Sequence, residues 1–185
     1  MINRSIKALL FSDMKGFTRM TERECVTFCQ NFHSGVQRNV LAKYNDGIIL
    51  KNTWGDALHV VLDDVVTAGQ VALDLRDWVA EFDWIGAGMK SAPKIRIGLH
   101  AGVVTKIDDP ITGECNFVGH NTSKAARIEP IAFEGQVFVS QPFTALLALR
   151  TDHNMTCEYV GMKALPKNAG TISVYLLNRI KDRQR

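Results

Sequence analysis

The order in which strand-like and helix-like hydrophobic patterns follow one another most constrains the fold of this chain. An apolar run over 6–11 predicts a first strand. A helix follows, because a capping box at 21–24 precedes apolar residues at helical spacing. A strand pair at 48–51 and 57–62, a second amphipathic helix and a buried strand at 94–104 come next. The order βα(ββ)αβ predicts an α+β fold of ferredoxin-like, split βαβ type, with helices packed on a mostly antiparallel sheet.

Shorter elements are predicted in the second half of the chain. They are a loop or hairpin around 108–113, a short helix with Ala125, Ala126, Arg127 and Ile128, a strand at 137–140, a helix near 141–148, strands near 157–160 and 171–177, and a solvated basic tail at 179–185. No linker or repeat divides the 185 residues, so a single domain over 1–185 is expected.

Composition excludes several classes of protein. The net charge of +3 is too small to indicate nucleic-acid binding, and no apolar run reaches membrane-spanning length. We therefore expect neither nucleic acid nor a membrane as a partner. The four cysteines form no CxxC pair, which favours reduced thiols and a cytoplasmic location.

A carboxylate and a glycine-containing turn are predicted at the end of the first strand. The turn covers 12–16, and Asp13 is its carboxylate. Successive backbone N–H groups of such a turn can bind an anion, while the carboxylate holds a hard cation beside it. The alternative is an aspartate that only caps a turn, and for a lone aspartate this simpler interpretation would be preferred.

A second carboxylate, Asp56, follows Gly55 in the predicted turn 52–56 of the hairpin. If the hairpin pairs beside the first strand, Asp13 and Asp56 meet at one end of the sheet. Two carboxylates next to an anion-binding turn suit a two-metal site for phosphoryl chemistry. Taken alone, this segment fits an ordinary Asx-type turn equally well.

Four segments, in this order and rough spacing, resemble the catalytic domain of the class III nucleotidyl cyclases. They are FSDMKGFT, NTWGDALHVVL, IRIGLHAGVV and VGHNTSKAARIEPIAFEGQVFVS, and the resemblance extends over about 6–176. It implies a cyclase homology domain that forms a homodimer with shared active sites at the subunit interface. Each site would bind a nucleoside triphosphate and two divalent cations, Mn²⁺ or Mg²⁺.

The resemblance also implies roles for individual residues. Asp13 and Asp56 would be metal ligands from one subunit, together with the backbone carbonyl of Met14. The other subunit would supply Arg127 to stabilise the transition state, with Ser123 in the place of a family asparagine. The phosphate-binding groups would be the turn N–H groups of Lys15, Gly16, Phe17 and Thr18 and the side chain of Lys167, chosen over Lys163.

Neither purine signature of the family is present. Adenylate-forming relatives have Lys four residues before the second metal aspartate and an acidic residue three before the glycine of the GxxVNxAAR segment; guanylate-forming relatives have Glu and Cys. This chain has Asn52 and Asn116 there. Lys51 cannot simply substitute, because neighbouring strand residues point to opposite faces. Trp54 replaces a small aliphatic residue, and its bulk would narrow the base pocket.

Two amides in a narrow pocket suit a pyrimidine, since an amide can pair with either type of base edge. The pattern is similar to the bacterial pyrimidine cyclases of anti-phage signalling, which make cyclic UMP or cyclic CMP for a separate effector. A domain with no fused sensor matches that arrangement, and the resemblance favours a uridylate cyclase, with UTP ahead of CTP. Two alternatives stay open: an adenylate or guanylate cyclase with a divergent base pocket, and a catalytically silent, dimeric regulatory module.

Overall fold

Eight strands form one sheet in the computed structural model, which describes residues 3–180. The strands are β1 (Arg4–Lys15), β2 (Ile48–Trp54), β3 (Ala57–Leu62), β4 (Lys94–Asp108), β5 (Cys115–Val118), β6 (Val137–Ser140), β7 (Met155–Ala164) and β8 (Thr171–Arg179). Their order is β2-β3-β1-β4-β6-β8-β7, with β5 paired to β4. In this part of the chain only β4 and β6 pair in parallel. The predicted α+β architecture with a mostly antiparallel sheet is confirmed.

In the described part of the chain, four α-helices accompany the sheet: α1 (Glu22–Asn39), α2 (Val65–Glu81), α3 (His120–Ala125) and α4 (Gln141–Ala148). The predicted capping box is confirmed, because the Thr21 side chain accepts the Glu24 N–H and the Glu24 carboxylate accepts the Thr21 N–H. Within residues 3–180, no helix combines the length and hydrophobicity needed to cross a lipid bilayer.

The helices cover the two faces of the sheet unequally. On one face, α1, α2 and α4 bury the main core against strand residues such as Leu10, Val60 and Leu99. The other face, here called the α3 face, carries a smaller cluster of Leu9, Val61, Val104, Phe117 and Ala125. Because strand side chains alternate, Asp13 lies on the α3 face with Leu9. The α3 face therefore carries the candidate carboxylate.

Strand β4 holds the segment 120–131 close to the sheet. A Cβ atom on Gly98 would lie 2.4 Å from the backbone nitrogen of Glu129, so only glycine permits this approach. Two residues further along, His100 Nε2 lies 2.9 Å from Asn121 Oδ1 in a hydrogen bond. These contacts fix the region that contains Ser123 and Arg127.

Strand β1 is longer than the sequence predicts. The expected turn 12–16 is extended strand as far as Lys15, which pairs with Lys94 of β4. The chain turns only at Gly16, whose φ of 84° is left-handed, and a short 3-10 helix, Phe17–Arg19, follows. The ladder to β4 overrides the local turn signal, so Asp13 belongs to a strand and not to a turn.

Further boundaries differ from the prediction: β4 extends to Asp108, and β7 covers Met155–Ala164. The β2–β3 connection contains only Gly55 and Asp56, because 52–54 pair with β3. Helix α3 ends at Ala125, so Arg127 lies in the turn that follows and not in the helix. In the predicted tail, Arg179 is ion-paired with Asp74 and Asp77 in place of being solvated, and 181–185 lie outside the described residues.

Candidate active site

Two carboxylates come together where the β2–β3 turn meets β1. The backbone N–H of Met14 donates a hydrogen bond to Asp56 Oδ2 at 3.2 Å, which attaches the turn to the strand. Burial raises the pKa of Asp56 to about 6, and the negative charge of Asp13 adds to this shift. The structure thus brings Asp13 and Asp56 together at one end of β1, as the sequence predicts.

An arginine that sequence analysis missed links this pair to the α3 face. Arg96 lies opposite Asp13 in the β1–β4 ladder, and its Nη2 donates to Asp13 Oδ2 at 2.8 Å. Its Nε lies 2.9 Å from Glu129 Oε1 in a second ion pair. Glu129 is only 7% exposed, and burial raises the pKa of its carboxyl to about 7 although Arg96 opposes the shift. One guanidinium therefore serves two carboxylates.

The charge balance of this cluster fits a divalent cation. Asp13, Asp56 and Glu129 bring three carboxyls, and Arg96 is the one cation in contact with them among the described residues. No group of three or more His, Cys, Asp or Glu side chains in residues 3–180 has the arrangement of a complete metal site. Magnesium sites in phosphoryl-transfer enzymes often use one or two carboxylates and take further ligands from substrate phosphates. Asp13 and Asp56 fit such a partial site.

The segment after β1 supplies free backbone donors. Phe17 and Thr18 begin the 3-10 helix, and the first N–H groups of a helix have no acceptor within it. Gly16 precedes them in a left-handed conformation. Lys15 is also predicted to bind phosphate through its backbone N–H. It is the last residue of β1, and its side chain forms an ion pair with Glu134.

The candidate transition-state residues make no ion pair with the aspartates of the same chain in residues 3–180. Ser123 is exposed on α3, and Arg127 is partly buried in the following turn. Among residues 3–180, no ion pair joins Arg127 to either aspartate, and Asp13 is already paired with Arg96.

The β7–β8 connection places Lys167 near the segment that carries Arg127. Lys167 is exposed and has a left-handed φ of 60°. Its neighbours Leu165 and Ala169 pack in one cluster with Ile128. Lys163 lies within β7, and its Nζ is 6.0 Å from the centre of the Phe133 ring. The connection thus holds Lys167 on the α3 side of the sheet.

Asn52 and Lys51 lie on opposite faces, as strand alternation predicts. Asn52 pairs across β2–β3 with His59, whose ring stacks on Phe11 with centroids 4.2 Å apart. Lys51 Nζ instead donates to Gln37 Oε1 of α1 at 3.3 Å. Lys51 is therefore directed towards the helices and does not replace Asn52 on the α3 face.

The other two base-binding candidates, Trp54 and Asn116, do not line a base pocket together with Asn52 in the described residues. Trp54 is 89% exposed at the hairpin tip, so its indole narrows no pocket within one chain, contrary to the expectation from its bulk. Asn116 Oδ1 accepts the N–H of Phe117 at 2.8 Å, and its Nδ2 donates to Asp109 Oδ2 at 3.4 Å. Among the described residues, no hydrogen bond joins Asn116 to Asn52.

Comparisons with known proteins agree with this geometry. Residues 5–179 match the family described as the adenylate and guanylate cyclase catalytic domain. Among curated proteins, an adenylate cyclase of Streptomyces coelicolor is 29% identical over 156 residues, covering 82% of this chain and 36% of that protein. An adenylate cyclase of Schizosaccharomyces pombe is 22% identical over 191 residues, covering 94% of this chain and 11% of that protein.

Solved structures share the fold over nearly the whole chain. The adenylyl cyclase CyaB from P. aeruginosa superposes with a TM-score of 0.82 at 19% identity, covering 98% of each chain. The catalytic core of a rhodopsin-guanylyl cyclase with converted specificity, in complex with ATPalphaS, gives 0.78 at 21% identity, covering 98% of this chain and 100% of that one. The chain spans 4% to 36% of the length of the curated relatives it matches. The match over 5–179 shows that the chain belongs to the adenylate and guanylate cyclase catalytic domain family.

Proposed function

We propose that this domain converts a nucleoside triphosphate to its 3′,5′-cyclic monophosphate and pyrophosphate, using two divalent cations, Mn²⁺ or Mg²⁺, per site. The observation that carries the proposal is the docking of Asp56 on Met14 next to Asp13, in a chain of the cyclase family. Arg96 is the one cation in contact with this cluster among the described residues, so it offsets only part of the negative charge that the carboxylates can supply. A site of this kind suits a substrate that arrives with metal-bound phosphates.

The reaction forms a bond between the ribose 3′-oxygen and the α-phosphorus and breaks the bond from that phosphorus to pyrophosphate. The 3′-hydroxyl proton passes to solvent, and pyrophosphate leaves with the electron pair. Bound cations supply charge that lowers the pKa of the hydroxyl and neutralises the phosphates. Asp13, Asp56 and the Met14 carbonyl would hold these cations, while the N–H groups of Phe17 and Thr18 would bind phosphate oxygens.

A second copy of the chain would complete each site. Arg127 has no carboxylate partner within residues 3–180, and Asp13 is paired with Arg96 in the same chain. In a homodimer, Arg127, Ser123 and Lys167 of the partner subunit would face the aspartates of the first. Fixed positive charge from that arginine would then oppose the negative charge that develops on the phosphoryl oxygens.

We further propose that the base is a pyrimidine, with UTP preferred to CTP. Support comes first from Asn52, which presents an amide on the α3 face at a position where purine-selective relatives have Lys or Glu. It comes also from Lys51, because a hydrogen bond to Gln37 holds its side chain on the opposite face. Asn116 would be the second amide after release of its long bond to Asp109. Trp54 would contribute only across a subunit interface, because it is exposed within one chain.

Similarity of this amide pattern to the bacterial pyrimidine cyclases supports a role as well as a substrate. The product would be an anti-phage signal that a separate cyclic-nucleotide-responsive effector reads in the cytoplasm. The four cysteines, all unpaired in the described structure, suit a reducing compartment.

The test is to incubate the purified protein with Mn²⁺ and each of ATP, GTP, CTP and UTP, and to identify the products by mass. We expect cyclic UMP to form fastest, cyclic CMP next, and the purine products far more slowly. Asn52→Ala should reduce kcat/KM for UTP and flatten base selectivity, because a site built to hydrogen-bond its substrate discriminates by that bond. The matched control is Lys51→Ala, which should leave selectivity unchanged.

ATP or GTP as the best substrate by a clear margin would refute pyrimidine specificity and leave a purine cyclase. No cyclic product from any nucleotide would refute the cyclase proposal and favour a silent regulatory dimer. Such a result would identify Ser123, which replaces the family asparagine, as the first residue to examine for the loss of activity.

A further inference from the structure

Helix α1 contacts the peptide group that precedes Asp56. His33 Nε2 lies 2.9 Å from the backbone carbonyl oxygen of Gly55, and Cys29 Sγ lies 3.8 Å from the same atom. Because a carbonyl oxygen only accepts hydrogen bonds, His33 Nε2 must carry the hydrogen. A thiol is a weak donor, so His33 makes the main contact of α1 with this turn.

The contact lies at a position that controls the direction of the Asp56 side chain. The Gly55 carbonyl belongs to the planar peptide unit that ends at the Asp56 Cα atom, so fixing that oxygen fixes the plane. Gly55 has a left-handed φ of 62°, and the Phe17 ring lies 3.5 Å from where its Cβ would be. With Met14 bound to the carboxylate, Asp56 is held through both its backbone and its side chain.

The turn needs such support because it is short and its aspartate reaches β1 through a long hydrogen bond. Gly55 and Asp56 alone connect the paired residues of β2 and β3, and the Met14 N–H lies 3.2 Å from Asp56 Oδ2. Helix α1 gives the contact with Gly55 a firm base, because Phe32, next to His33, is fully buried in the main core.

We propose that His33 is a positioning residue that holds Asp56 in place for divalent-cation binding. This inference rests on the proposed two-aspartate site. In this role His33 acts through the Gly55 carbonyl, 2.9 Å from its Nε2, and is not itself a ligand of the cation. Its loss should weaken cation binding more than it changes turnover at saturating cation.

The experiment measures Mn²⁺ binding to the full chain by electron paramagnetic resonance, with and without UTP. His33→Leu removes the donor, and His33→Gln keeps an amide N–H of similar reach. A net hydrogen bond of ordinary strength predicts a roughly 2- to 10-fold higher Mn²⁺ dissociation constant for His33→Leu, with His33→Gln within about twofold of wild type. Gln37→Leu, one turn along α1, is the control and should bind Mn²⁺ like wild type, because Gln37 contacts Lys51 and not the turn.

A second variant and a second readout keep the test decisive if His33→Leu folds poorly. His33→Asn keeps a polar side chain that is too short to reach Gly55, and it should weaken Mn²⁺ binding as His33→Leu does. Hydrogen exchange should also accelerate across 52–58 in either variant but not in Gln37→Leu. Wild-type Mn²⁺ affinity in both His33→Leu and His33→Asn, or a His33→Gln variant as weak as His33→Leu, overturns the inference.

The two proposals fail in different ways. A wild-type protein that binds Mn²⁺ in a His33-dependent manner but forms no cyclic nucleotide refutes the proposed reaction and leaves the role of His33 standing. A wild-type protein that forms cyclic nucleotide, with unchanged Mn²⁺ affinity in His33→Leu and His33→Asn, refutes only the role of His33. Absence of Mn²⁺ binding to wild type, with or without UTP, overturns both.

Discussion

Glu129 makes the folded protein sensitive to pH in a way that a single substitution should remove. Its carboxyl is 7% exposed, and burial raises its pKa to about 7 from an ordinary value of 4.5. Between these two pH values the folded chain keeps a proton that the unfolded chain releases. A gap of about two and a half pH units, at about 1.4 kcal/mol per unit, corresponds to roughly 3 kcal/mol of unfolding free energy.

The sign follows from the raised pKa. The stability that Glu129 contributes is fully present below about pH 4.5 and is lost as the pH rises through 7, because high pH draws the proton from the folded state. Glu129→Gln resembles the protonated acid and cannot titrate. We therefore expect wild type to lose roughly 3 kcal/mol relative to Glu129→Gln between pH 4.5 and pH 8.

Urea unfolding without divalent cations, followed by the fluorescence of the buried Trp84, measures this difference at each pH. Glu134→Gln is the matched control. Glu134 is exposed and its pKa is lowered by Lys15 and then Lys94, so its contribution is lost only as the pH falls through that lowered value. It should therefore add no slope between pH 5 and pH 8. A difference between wild type and Glu129→Gln that is constant over this range, or that grows in favour of wild type with pH, refutes the reasoning.

Two further variants test the metal pair and the packing of the α3 segment. Asp13→Ala should abolish cyclic nucleotide formation at saturating Mn²⁺. Its far-UV circular dichroism should stay that of wild type, because removing one of two neighbouring carboxylates leaves the fold intact. Substantial turnover would exclude the two-aspartate site. Gly98→Ala should destabilise the protein by about 1–3 kcal/mol in urea unfolding, because its Cβ would lie 2.4 Å from the Glu129 nitrogen; a neutral effect would show that the segment 120–131 is not held as closely as described.

Local signals predicted several elements of the fold correctly. The capping box located the start of α1, and the bounds of α4 agree with the predicted helix 141–148. Strand alternation correctly separated Lys51 from Asn52. These features depend on residues that are close in sequence, which is why periodicity and capping reveal them.

Features that depend on strand pairing and tertiary contacts could not be predicted in the same way. The extension of β1 to Lys15 comes from its ladder with β4, which no local pattern shows. Arg96 lies on the same strand face as His100 by alternation, but its pairing with Asp13 requires the β1–β4 register. The contact of His33 with Gly55 joins a helix to a turn 22 residues away in sequence, which likewise requires the folded structure.

Asp56 of one chain and Arg127 of its partner should act in the same cyclase site. Mixing the variants Asp56→Ala and Arg127→Ala, each expected to be inactive, and measuring cyclic nucleotide formation tests this sharing. Random exchange makes half of the dimers mixed, and each mixed dimer has one intact site, so the mixture should recover about a quarter of wild-type activity. A mixture that stays inactive, although subunit exchange is demonstrated by fluorescence energy transfer, would contradict the shared site.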